Sequence, residues 1–148
     1  MIKKKAVELM LALIWGFTIC LTVVLYLESW LSLAVTALVM VCVVAPFTEE
    51  LFKLLPIFFF KTKKGIISFA MVSALGFALA ELFYHNIISY IDKGTMYVSF
   101  WPLLHLLFVL PGAIIVSRTN KKMFWIIGYL LSVILHATVN YLNVIGVI

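Results

Sequence analysis

Four runs of this chain, residues 6–27, 65–91, 97–117 and 123–145, are apolar almost throughout. Each has the roughly 20 residues that a helix needs to cross the hydrocarbon of a bilayer. Composition agrees: 66% of the 148 residues are hydrophobic and only 11% are charged, far from the balance of a soluble domain. The expected fold class is therefore all-α, a polytopic membrane helix bundle, and the length suits a single domain over residues 1–148. The first segment begins like a secretory signal, but its apolar stretch is longer than a signal core and no small-residue cleavage site follows. It is expected to stay as a spanning helix. Cys20 and Cys42 fall inside spans, where a thiol behaves as a small apolar group.

The stretch 30–60 is too long for one straight span and too short for two with a turn. Charge decides between them. Lys3, Lys4 and Lys5, then Lys61, Lys63 and Lys64, then Arg118, Lys121 and Lys122, all fall on the cytoplasmic side if 30–60 crosses once. Two crossings would carry the second and third clusters to the far side from the first. The expectation is about five crossings, with the N-terminus cytoplasmic, the C-terminus outside and the chain in the cell membrane. Pro46 accounts for the excess length by breaking or bending the second span, and Pro111-Gly112 marks a second kink. Ala70, Ala74, Gly76 and Ala80 give the third span a surface that a neighbouring helix can approach closely. The net charge of +5 does not point to nucleic acid, because the basic residues cap apolar runs and share no face.

Against this background a few polar residues stand out, since an ionisable group in hydrocarbon costs about 2.5–3.5 kcal/mol and is usually paired, inward-facing and functional. They are Glu49, Glu50, Lys53, Glu81, His105 and His136, with Asn140 as a polar companion. Counting from the nearest interface at about 1.5 Å per residue puts Glu49 and Glu50 roughly 16–18 Å above the inner edge, Glu81 at roughly 24 Å and His136 at roughly 21 Å. His105, counted down from Tyr97, lies at roughly 18 Å. Four helices thus bring ionisable groups to one level. Glu49 and Lys53 are four apart, as are His136 and Asn140, so each pair shares a helix face. Glu50, three before Lys53, is the expected ion-pair partner, leaving Glu49 free. His85 is expected at the interface rather than in the site.

A carboxylate near two imidazoles and an amide, where water is scarce, suffices for peptide hydrolysis. Glu49 would take a proton from water, His105 would orient that water, and His136 and Asn140 would donate to the oxyanion. The chain has no GxSG or HExxH, and its only aspartate, Asp92, is expected in a loop.

The segment EELFK (Glu49, Glu50, Lys53) resembles the EExxK motif of the PrsW family of intramembrane proteases, and GFALAELFYHN (76–86) is similar to its G-F-A-x-x-E-N segment. His105 and HATVN (136–140) match its two later motifs, and the same order occurs in the related CAAX protease and bacteriocin-processing family. The resemblance covers roughly residues 45–141 and departs from the pattern at Leu82, where Asn is expected. It implies that Glu49 activates water with Glu50 beside it, that Glu81, His105 and His136 line the site, and that Asn140 assists. It also implies a membrane-anchored protein substrate; relatives of the PrsW kind cleave regulators such as anti-sigma factors. No cofactor is expected, because an ammonium beside the carboxylates disfavours a dication. Zinc held by Glu and His stays an open alternative. So do an ion-coupled transporter, which also uses broken helices with buried carboxylates, and a silent membrane scaffold.

Overall fold

A computed structural model describes residues 2–59, 65–96, 99–119 and 122–147. Among them the chain forms helices and no strands. Helix α1 runs over Ile2–Ile19, widens into a π turn at Cys20–Val24 and continues over Leu25–Leu31. Helix α2 starts at Ala37–Val39, where the Thr36 hydroxyl accepts from the Val39 amide. It widens at Met40–Val44, runs on through Ala45–Leu54 and tightens into a 3-10 turn at Leu55–Phe59. Helix α3 covers Ile66–Lys93 between Gly65 and Gly94, which sit at φ of 96° and 65°, a conformation open to glycine at little cost. Helix α4 opens with a 3-10 turn at Trp101–Leu104 and continues over His105–Arg118, and α5 is Lys122–Val144.

Four helices, over Lys5–Leu31, Ile66–Lys93, Trp101–Arg118 and Met123–Val144, are long and apolar enough to cross a membrane. Helix α2 is set apart by Glu49, Glu50 and Lys53, and it touches all four others. A bilayer forces this arrangement. The charged face of α2 turns inward, with Glu50 and Lys53 0% and 1% exposed, while the apolar Met10 and Leu11 of α1, at 62% and 58% exposure, turn outward. The lysines at 61, 63, 64 and 121, on which the expected orientation leans, and Tyr97, the expected start of the third run, lie outside the described residues.

The break expected at Pro46 takes another form. The backbone stays helical at Val44 and Ala45, and the irregularity is the π turn just before, in which the Ala45 amide donates to the Met40 carbonyl five residues back. The next bond in that register would run from residue 46 to Val41, and proline has no N–H to give. The side-chain amide of Asn140 supplies the donor instead, at 2.9 Å from the Val41 oxygen. Replacing Asn140 by alanine removes this bond and should cost about 0.5–1.5 kcal/mol of stability, measurable by thermal unfolding in detergent. Pro111 lies within an unbroken α4. Asp92, expected in a loop, is in the last turn of α3, because the helix continues until Gly94 ends it.

Small residues set the closest helix contact. Ala12, Gly16, Cys20 and Val24 recur every fourth residue on α1, and α3 meets them with buried Ser73, Gly76, Phe77 and Ala80. A Cβ on Gly16 would run into the Ser73 carbonyl, and one on Gly76 into the Leu13 carbonyl, so the two backbones themselves are in contact. Gly76→Ala should therefore destabilise the bundle by about 1–3 kcal/mol, seen as a lowered melting temperature. On the other side Gly112 packs on Gly128, and its amide donates to the Ser132 hydroxyl at 3.2 Å.

Candidate active site

Lys53 sits at the centre of the bundle, 1% exposed. Its ammonium has three N–H donors, and three acceptors surround it: Glu50 Oε1 at 2.8 Å, Glu49 Oε2 at 3.1 Å and His105 Nδ1 at 2.7 Å. The Phe77 ring lies beneath, its centroid 4.2 Å from Nζ. The expectation that Glu49 would stay free while Glu50 paired with Lys53 is corrected here. On one helix face, residues three and four before the lysine both come within its reach, and Lys53 holds both.

The donor on one atom decides its neighbour. Because Lys53 donates to His105 Nδ1, the ring proton sits on Nε2 and is donated to Glu81 Oε2, 2.5 Å away. Glu50 Oε1 likewise accepts from Nδ1 of His136 at 3.1 Å. The two imidazoles lie edge to face with centroids 5.2 Å apart, and His136 stacks on Phe108 at 4.3 Å. Side chains from α2, α3, α4 and α5 thus meet at one level, as counting from the interfaces suggested.

The two adjacent glutamates are not equivalent. Glu50 is completely buried, with Oε2 lacking any hydrogen-bond partner among the described residues. Glu49 is 8% exposed and lines a cavity of about 310 Å³. One of its oxygens is held by Lys53, and no hydrogen-bond partner occupies the other among the described residues. Glu81, His105, His136 and Asn140 line the same cavity, whereas Glu50 and Lys53 do not.

Two further residues belong to this cavity that the sequence reading placed elsewhere or overlooked. His85 Nε2 is 3.6 Å from Glu81 Oε1, so this histidine stands at the rim of the site instead of apart from it. Its four-residue spacing from Glu81 was the available signal. Glu28 also lines the cavity, accepting at 2.8 Å from the hydroxyl of Thr48, the residue before Glu49. It lies near the end of an apolar run, where an acidic residue normally signals only the interface.

The residues that could hold a metal are Glu49, Glu50, His105 and His136, which can each offer one ligand atom with all four atoms within 4.8 Å of one another. By type and spacing they fit a divalent ion such as zinc. They do not fit one while Lys53 stays in place, since its ammonium already bonds three of the four.

The family model of PrsW family intramembrane metalloproteases matches residues 5–148, nearly the whole chain. The chain belongs to this family. It is an intramembrane protease, and its EELFK segment on α2 supplies the two glutamates and the lysine at the core of the site. No curated protein and no solved structure matches it. Within this PrsW chain Leu82, where the family pattern expects Asn, contributes its backbone: its carbonyl accepts from the Asn86 side chain at 2.8 Å.

Proposed function

We propose that the chain hydrolyses a peptide bond of a membrane-anchored protein, using water activated by Glu49. The observation that carries this reading is the asymmetry of the glutamate pair: Glu50 is completely buried, while Glu49, held by Lys53 through one oxygen, lines a cavity together with His105 and His136. Glu49 takes a proton from water, and the oxygen adds to the scissile carbonyl carbon. The same carboxyl then returns the proton to the amine nitrogen as the C–N bond breaks. Lys53 and Glu50 keep Glu49 in place. Glu81 orients His105, and Glu50 orients His136. The developing oxyanion is met by His136, donating through Nε2 when that nitrogen carries a proton, and by the N–H of Asn140 that Val41 leaves unused. The family's description as metalloproteases makes the metal content of this chain a direct thing to measure.

With the N-terminus cytoplasmic, every helix places its cavity-lining residues in the outer half of the bilayer: Glu28 late in α1, Val41 early in α2, Glu81 late in α3, Trp101 at the start of α4 and Asn140 late in α5. The scissile bond would then lie in the outer half of the substrate's span. The test is a reconstituted assay with a single-span peptide carrying reporters at both ends. Wild type is expected to cut in the outer half of the span, and His105→Ala and His136→Ala to cut at least about 100-fold more slowly. Cleavage at the wild-type rate by both variants would end the reading. A reporter fused to the C-terminus should be active only outside the cell, and cytoplasmic activity would refute the five-crossing orientation.

A further inference from the structure

We propose that Lys53 is the site's built-in cation, filling the position that a divalent metal would otherwise take and competing with it for the same ligands. The ammonium bonds Glu49, Glu50 and His105, three of the four residues whose donor atoms converge closely enough to coordinate an ion. Each of its N–H groups has one acceptor, so the position is saturated by the protein itself. The side chain is buried, its ammonium rests on the Phe77 ring, and it comes from the same helix turn as both glutamates. A dication entering between these ligands would stand beside a positive charge in a poorly screened interior, where repulsion is strong. Binding metal therefore requires Lys53 to leave its three acceptors. In this chain Lys53 thus decides whether the four ligands work as a metal centre or as a metal-free carboxylate site.

The inference concerns the ligands and not the hydrolysis, so metal content, read without substrate, can fail while the protease reading stands, and the reverse. Purified protein in detergent is equilibrated with zinc, freed of excess by gel filtration, and analysed for zinc per chain and for affinity by competition with a chromophoric chelator. Wild type is expected to retain no stoichiometric zinc. Lys53→Met, which keeps the length and removes the charge, should bind zinc at least about a hundredfold more tightly than wild type, and added zinc should raise its melting temperature. Lys53→Arg, which keeps the charge, should behave as wild type. If Lys53→Met does not fold without zinc, recovery of folded protein on adding zinc supports the proposal. The proposal is overturned if wild type itself holds stoichiometric zinc that Glu49→Gln or His136→Ala loses, or if folded Lys53→Met binds zinc no more tightly than wild type.

Discussion

Glu49→Gln is expected to fold like the wild type and to cleave a membrane-tethered peptide about 10²- to 10⁴-fold more slowly, the usual worth of a positioned general base. The amide keeps the shape of the side chain and an oxygen that can still accept from Lys53, which now bonds Glu49 at 3.1 Å. Only the basicity is lost. The loss should therefore fall on kcat, with KM and the melting temperature close to wild type. Single-turnover rates with reconstituted protein would check this split. A variant that cleaves at the wild-type rate would show that the water-facing carboxylate is not the base.

Glu50→Ala is expected to act on stability first. This carboxylate is completely buried, 2.8 Å from the Lys53 ammonium and 3.1 Å from His136 Nδ1. Removing it leaves a buried ammonium short of an acceptor and an imidazole N–H without a partner. Breaking a buried pair from one side costs about 3–5 kcal/mol. Unfolding of the detergent-solubilised protein by heat should show a large fall in the transition, far larger than that for Glu49→Gln. Adjacent glutamates with opposite dominant effects are the signature of the asymmetry between them, and equal effects on stability would contradict it.

Much of this site was legible because a bilayer punishes misplaced polarity so heavily. Within apolar runs, Glu49, Glu81, His105 and His136 could be singled out by residue type alone, and counting from the ends of the runs brought them to one level. The helices were legible for the same reason, as was the close approach of a neighbouring helix at Gly76, where the backbone of α1 lies against α3. What escaped depends on register and on partners distant in sequence. The π turns at Cys20–Val24 and Met40–Val44 each insert a residue into the helical count and turn everything after them, so counting at 3.6 residues per turn cannot place Glu28 against Thr48. The third acceptor of Lys53 is His105, on another helix, and no spacing along α2 could indicate it. Asn140, read as an oxyanion donor, also repairs the carbonyl that Pro46 leaves without its π-register donor.

The most direct test follows the water. Wild-type protein reconstituted in lipid is mixed with excess tethered peptide in H₂¹⁸O, quenched within the first turnover, and both peptide and protein are weighed by mass spectrometry. The account predicts a single ¹⁸O in the carboxylate newly formed at the cleaved bond, no mass added to the protein, and no product from Glu49→Gln on the same timescale. A covalent acyl adduct on the protein, or product formed equally fast by the Glu49→Gln variant, would contradict it.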